Sequence, residues 1–325
     1  MSATSSRLQH IQETLTTLDL LIKQLEDRAT EPGAPTSQEL TSLRTRQDGL
    51  LREFIDLLPL EKRMALARET NRPQTLDYIR GICTNFTQSC GDRIMGDDPA
   101  IVGGLALLDQ QPVVIFGHHK GKDIRERAHH NTGAARPSGY RKALRLVNLA
   151  IQLGVPVISL IDTIGADCSV DSEAFGISQA IAESQALMGQ AGVPILAVVI
   201  GEGGSGGAIG IGVANYVAML ELAYYSVIAP QSCAAILWPN LPREEATTKA
   251  ASALKLTAQD AHRFGFIEEI IPEPAGGAHR NPHQTIAEVK RALTTALAQF
   301  KDYSPASLAE HRYNRFRRMG EYLEL

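Results

Sequence analysis

An α/β fold with crossover connections is what this 325-residue sequence predicts, and three observations predict it. From about residue 100 onward, short apolar runs alternate with stretches of helical spacing, as in strand–helix–strand units. Two of the runs, 155–162 (VPVISLID) and 193–200 (VPILAVVI), are almost continuously apolar, the pattern of strands buried on both faces. The second run leads straight into a glycine-rich junction, 201–208 (GEGGSGGA), that opens a helix.

The elements follow in order. Leu8, Ile11, Leu15, Leu18, Ile22 and Leu25 recur every three or four residues, an a/d seam along one helix face. Residues 30–37 (TEPGAPTS) must break that helix, with Ser37 as the next N-cap. Leu40, Leu43, Leu50, Phe54 and Leu57 then resume the spacing, interrupted by Gln47. The resulting helical hairpin packs on its own domain or on a partner, and the spacing does not choose between them. Residues 100–108 and 111–117 read as paired strands, 140–153 as a helix, 155–162 as a buried strand and 173–191 as a helix. Next come a buried strand at 193–200, short strands at 216–220 and 226–229, and a last amphipathic helix at 283–300. The basic stretch 312–318 (RYNRFRR) reads as a solvated helix face.

Bulk properties narrow the function. With 44% apolar and 21% charged residues the chain has an ordinary globular composition, and a net charge of -4 argues against generic nucleic-acid binding. Cys83, Cys90, Cys168 and Cys233 form no C-x-x-C pair, so neither a zinc ribbon nor a redox motif is expected. Scattered cysteines and a polar, amphipathic N-terminus without an apolar signal core point to the cytoplasm. No stretch approaches the roughly 20 apolar residues that span a bilayer.

The junction 201–208 carries the most chemistry. A strand-to-helix turn offers unpaired backbone N–H groups and the positive end of a helix dipole, and glycines let a substrate oxygen come close to the backbone. Several templates match it. Gly201, Gly203 and Gly206 fit a dinucleotide fingerprint, with Glu221 about twenty residues on, although the junction comes late in the chain. Gly203-x-Ser205-x-Gly207 fits a nucleophile elbow, which would also need a histidine and an acid. A phosphate P-loop fails, because no Lys-Ser/Thr follows. A tight turn serving close packing, or an oxyanion hole of backbone amides, remains. Elsewhere, Lys120, Lys122, Arg125 and Arg127 form a basic cluster suited to phosphates, a partner or solvent. His118, His119, His129 and His130 come as adjacent pairs, poor chelating geometry, so no metal site is expected. Asp162 ends a strand, as a site residue or a cap.

At this point the residues carry a resemblance. Segments 72–79 (RPQTLDYI), 91–93 (GDR), 100–104 (AIVGG), 117–121 (GHHKG), 139–146 (GYRKALRL) and 161–163 (IDT) come first. The junction, 225–230 (YSVIAP), 236–238 (ILW) and 271–282 (IPEPAGGAHRNP) follow in order. Together they resemble the alpha subunit of bacterial acetyl-CoA carboxylase carboxyltransferase. The resemblance implies a crotonase/ClpP-like spiral of ββα units: a hairpin at 1–68, a carboxyltransferase domain at 69–300 and a basic tail at 301–325. It implies an α2β2 assembly whose beta subunit carries the zinc, and a biotin carboxyl carrier protein that delivers carboxybiotin. The implied reaction moves carboxyl to acetyl-CoA, giving malonyl-CoA for fatty acid biosynthesis. The amides of Gly206 and Gly207 would hold one oxyanion, and the beta subunit would supply the other hole. Gly203, Gly204, Ser205, Lys120 and Arg125 would then face substrate, with Ser205 structural rather than nucleophilic.

One region departs from the family pattern. After residues 161–163 the family continues PGAYPG and then AEERGQ, whereas this chain has Ile164-Gly165-Ala166-Asp167-Cys168-Ser169 and then 172–177 (SEAFGI). Phe175 replaces an arginine, removing a fixed charge and up to five donors. Thr132 stands where the family has an aromatic residue. In the resemblance this loop lies on the biotin side of the site, so the change bears on biotin use more than on thioester use. Three further readings follow: a paralogue for another acyl group on CoA or acyl carrier protein, a biotin-independent malonyl-thioester decarboxylase, and an inactive scaffold.

Overall fold

The computed structural model describes residues 3–28 and 37–320. The first seam forms α1 (Ala3–Asp27), which packs antiparallel to α2 (Ser37–Leu57). The interruption expected at 30–36 and the capping expected of the Ser37 side chain lie outside the described residues. Ile11, Leu15, Leu18 and Ile22 are buried, and Ile11 and Leu15 pack with Leu51 and with Ala275 of the main body. Gln47 interrupts the seam because its amide reaches Asp19 across the hairpin, at 2.5 Å. The hairpin thus packs on its own chain.

Two short helices, α3 (Leu60–Ala67) and α4 (Thr75–Ile82), lead into the sheet. Between them Arg72 is pinned. Its guanidinium makes a two-pronged bond to Glu273 at 2.7 and 2.9 Å and a third bond to the Ile200 carbonyl at 3.1 Å. Glu273 also accepts from the amides of Ala278 and Leu222. A buried ion pair is tolerable only with its lone pairs satisfied in this way.

β1 (Thr84–Gln88), β2 (Ile101–Leu108) and β3 (Gln111–His118) form an antiparallel edge, and β2 and β3 realise the predicted pair. After α5 (Ile124–His129) and α6 (Pro137–Leu153), β4 (Val157–Thr163) joins β3 in parallel. All seven β4 residues are buried, which explains the continuous apolar run. The helix expected over 173–191 is two, α7 (Val170–Ala174) and α8 (Ile177–Gln190), divided at Gly176, whose φ of 80° leaves the helical region. β5 (Ile195–Gly204) runs beside β4 and ends four residues beyond its apolar run. The glycines to Gly204 are therefore strand, and the turn begins at Ser205.

α9 (Ser205–Ile209), β6 (Tyr216–Leu220) and β7 (Tyr224–Ser226) follow. The strand expected at 226–229 is instead 224–226, because β7 pairs with Glu202–Gly204, the extension of β5, and Pro230 then opens α10 (Pro230–Leu237). α11 (Arg243–Leu254), α12 (Ala258–Arg263) and β8 (Glu269–Ile271) complete a sheet ordered β1-β2-β3-β4-β5-β6-β8, with β7 added on β5. α13 (Pro282–Gln299) forms as predicted but is not the last helix: α14 (Pro305–Arg317) docks after it.

The basic stretch on α14 is not uniformly solvated. Arg312 is 1% exposed and donates to the carbonyls of Ala191 and Val193, both at 2.9 Å, and to the Asn215 side chain. It also reaches Gly189 in the last turn of α8, so the cation meets the negative end of a helix. Burial pulls its pKa down to about 10.

Candidate active site

The C-terminal ends of parallel strands are where such sheets place their sites, because the chain leaves each strand there in loops that can be varied. β4 ends at Asp162 and Thr163 and continues into the loop Ile164–Ala166, while β5 ends at Gly204 and turns into α9. The two continuations touch. A Cβ added at Gly204 would lie 2.2 Å from the Ile164 carbonyl oxygen, and one at Gly207 would lie 2.6 Å from the Ala166 nitrogen. Only glycine allows these backbones to approach so closely. Gly206 differs: the nearest atom to its added Cβ is Ile181 Cδ1, at 3.6 Å, so the space above it is open.

α9 is only five residues long. The first N–H groups of a helix have no intrahelical acceptor. Among the described residues, no backbone carbonyl outside the helix accepts from the Gly206 or Gly207 nitrogen. The Gly207 carbonyl accepts from the Tyr140 hydroxyl at 3.2 Å, which fixes the peptide orientation. Ser205 has a φ of 54°, the left-handed turn expected of a strand-to-helix elbow, and is exposed. No hydrogen bond from a histidine or carboxylate to its hydroxyl is found among the described residues, so the structure shows no triad. The short helix also differs from the long one a dinucleotide fingerprint needs, and Glu221 instead accepts from the Glu273 amide.

Beside this turn lies a cavity of about 320 Å³, lined by Arg68, Lys120, Arg127, Thr132, Ile164 and Glu202 among others. Its wall is a charge cluster whose members, Arg68 apart, are largely buried. Lys120 Nζ sits 2.7 Å from Asp162 and 2.5 Å from Glu202. Arg68 Nε bonds Glu202 at 2.6 Å and its terminal nitrogen reaches the Tyr224 hydroxyl at 2.9 Å; that hydroxyl donates to Glu202. Burial opposes the charged form of Lys120, but Asp162 and Glu202 outweigh it and hold its pKa above the usual lysine value. Burial likewise opposes ionisation of Glu202, and Lys120, Tyr224 and Arg68 together hold it below the usual range. Gln74 fixes the Lys120 segment, accepting from the Lys120 and Gly121 amides and donating to the Gly121 carbonyl.

The basic cluster of the sequence is therefore dispersed. Lys120 is buried in an ion cluster, Lys122 pairs with Asp77 at 2.8 Å, Arg127 lines the cavity, and Arg125 projects from α5 into solvent. The histidines hold no metal-ligand group among the described residues. His118 is fully buried with both ring nitrogens unpaired, and burial pushes its pKa down to about 3. His119 falls to about 4 by burial and the neighbouring His130.

The departing segment is ordered by its own polar groups. The Asp167 carboxylate accepts from the hydroxyls of Ser169 and Ser172 and from Asn131 Nδ2, and its backbone amide donates to the Ala135 carbonyl. The altered positions near Thr132 and in 164–177 thus belong to one structural unit. Ile164 and Phe175 are about half exposed, and Cys168 is a free, exposed thiol. Sequence reasoning did not single out Arg68, Glu202, Tyr224 or Gln74. Glu202 could have been found, as the only charged residue between Val193 and Gly212.

A family model for acetyl co-enzyme A carboxylase carboxyltransferase-like proteins matches residues 8–320. The chain belongs to that family. It is 45% identical over 307 residues to the acetyl-coenzyme A carboxylase carboxyl transferase subunit alpha of Synechocystis sp., covering 94% of this chain and 93% of that one. It is 44% identical to the protein of the same name from Thermus thermophilus, covering 94% and 96%. Among solved structures, transcarboxylase 12S superposes with a TM-score of 0.58 at 18% identity, covering 77% of this chain but only 44% of that one. A Pseudomonas malonate decarboxylase hetero-tetramer in complex with coenzyme A gives 0.55 at 18% identity, covering 67% and 87%. At that identity the likeness establishes the shared crotonase-like fold. No described helix is long and apolar enough to cross a membrane.

Proposed function

We propose that this chain is the alpha subunit of an acetyl-CoA carboxylase carboxyltransferase, working with a beta subunit in an α2β2 assembly. The observation that carries the reading is the turn at Gly206 and Gly207. Their two amide groups have no backbone acceptor outside their helix, the space beside Gly206 is open, and a loop packed to backbone contact against Gly207 holds the turn in place. Carboxybiotin, borne on a separate carrier protein, supplies the carboxyl group that acetyl-CoA receives to become malonyl-CoA. Negative charge develops on an oxygen as that group is released, and again on the enolate of the acyl thioester. Preorganised donors at such an oxygen contribute on the order of 10²–10³ in rate each.

The residues present fit this task. Gly206 and Gly207 donate to one oxyanion, Gly204 brings the turn close to the Ile164 backbone, Gly203 lets Tyr225 of β7 pack against β5, and Ser205 holds the left-handed corner. Arg125, exposed on α5, is available to a phosphate of CoA. No nucleophile or base is required of this chain, which agrees with the solitary Ser205 hydroxyl. The second oxyanion hole and the zinc are assigned to the beta subunit.

The test uses the chain co-purified with its beta subunit. Malonyl-CoA is supplied with and without free biotin, and acetyl-CoA is followed. Biotin-dependent acetyl-CoA is the expected result, as reverse carboxyl transfer. Biotin-independent acetyl-CoA would replace the reading with a decarboxylase and make the self-bonded 164–177 loop its cause. No turnover from an intact complex would leave a scaffold.

A further inference from the structure

The pairing of β4 and β5 slips at the site. Ile161 is opposite Val199, but Thr163 is opposite Gly203, so four residue steps of β5 face two of β4. Such bulges interrupt the ladder of main-chain hydrogen bonds and bend the strand, and they recur beside active sites. Asp162 and Glu202 lie within this slip. Asp162 Oδ1 accepts the Glu202 amide at 2.9 Å, and a Cβ at Gly201 would lie only 2.5 Å from that oxygen. The side-chain bonds of Lys120 therefore stand where ladder bonds are missing. Asp162 is two residues before Ile164, and Glu202 is four before Gly206.

We infer that Lys120 is a positioning residue, its ammonium bridging Asp162 and Glu202 to hold the slipped ends of β4 and β5, and with them the Gly206–Gly207 turn. This rests on the functional reading given above. Lys120 does not need to touch substrate to do so: two of its three N–H donors are already used, and Gln74 clamps its backbone. The cluster is balanced, with Lys120 and Arg68 against Asp162 and Glu202. Tyr224 faces it from β7, neutral His118 from β3, and Arg72 and Tyr78 from behind Asp162. Without the ammonium, the two carboxylates face each other with Arg68 bonded to Glu202 alone, and proton uptake restores the balance.

The experiment compares Lys120→Met, Lys120→Arg and Lys120→Met/Asp162→Asn in the alpha–beta complex, by malonyl-CoA turnover and by thermal melting from pH 6 to 8. Lys120→Met is expected to lose about 10²-fold in kcat at pH 8, the scale of a misplacement near 1 Å, with KM little changed. Its kcat should recover as pH falls, a limb absent from the wild type. The double variant, which removes one negative charge but keeps an oxygen for the Glu202 amide, should recover turnover at pH 8 without that limb. Lys120→Arg, keeping the cation, should lose less than Lys120→Met. A raised KM with intact kcat would overturn the inference in favour of direct substrate contact. So would a Lys120→Met complex matching wild type, or a double variant no better than the single one. If Lys120→Met fails to fold, the double variant decides: a folded but inactive double variant would overturn it. If the wild-type complex itself is inactive, the functional reading fails, and melting still tests the bridge. Lys120→Met should then gain stability relative to wild type on acidification, and no such gain would sink it.

Discussion

Gly207→Ala and Gly206→Val separate packing from chemistry within one turn. At Gly207 the added Cβ would lie 2.6 Å from the Ala166 nitrogen and from the Gly165 carbonyl carbon, both backbone atoms that cannot rotate away. That is about 0.8 Å short of ordinary contact, so the 165–166 backbone or α9 must shift by a similar amount in a close-packed interior. Overpacking of this kind costs roughly 1–3 kcal/mol. At Gly206 the nearest atom, Ile181 Cδ1, is already at 3.6 Å, so a side chain fits. Replacing glycine within a helix is also favourable or neutral by a few tenths of a kcal/mol. Urea denaturation should therefore give a lower midpoint at unchanged slope for Gly207→Ala and a midpoint near wild type for Gly206→Val. Turnover should fall in both, by about 10²-fold in Gly206→Val, where the valine fills the open space at Gly206, with co-purification of the beta subunit intact. Full turnover in Gly206→Val would refute the placing of substrate over that amide. An unchanged midpoint in Gly207→Ala would refute the tight backbone stacking behind it.

Two further outcomes follow from buried polar groups. Arg72→Met leaves Glu273 buried without its cation and should cost about 3–5 kcal/mol in urea denaturation, whereas the joint change Arg72→Met/Glu273→Gln should cost less. His118 and His119 have folded pKa values of about 3 and about 4 against 6.5 unfolded. Stability from keeping them neutral is whole above pH 6.5 and is lost as pH falls, because only the unfolded chain takes up protons. Each contributes a slope of up to about 1.4 kcal/mol per pH unit between 6.5 and 4. His118→Leu, which removes two unpaired nitrogens, should flatten that slope without lowering stability at pH 8, and a slope equal to wild type would contradict the buried neutral imidazole.

Much of the fold was legible because it is written in local patterns. Seven consecutive buried β4 residues show in the sequence as VISLIDT, and the paired strands and long helices announce themselves by period. The glycine junction was legible for a similar reason: a Cβ at Gly204 or Gly207 would lie 2.2–2.6 Å from neighbouring backbone, so the need for glycine is written in the chain. Boundaries set by pairing were not legible. β5 runs on to Gly204 and β7 forms at 224–226 because each supplies the other's hydrogen bonds, between residues 22 positions apart.

Partners of charge were decided by tertiary structure alone. Lys120 looked like one member of a basic cluster, yet it is held by carboxylates 42 and 82 positions away, while Arg125, five residues on, stays in solvent. Arg312 looked like part of a solvated face and is buried against carbonyls some 120 residues earlier. A sequence states which side chains carry charge and which positions demand glycine, since those are properties of single residues. Whether a charge meets water or a buried partner depends on segments far apart in the chain, and only the folded sheet, by bringing the ends of β3, β4 and β5 together, settles it.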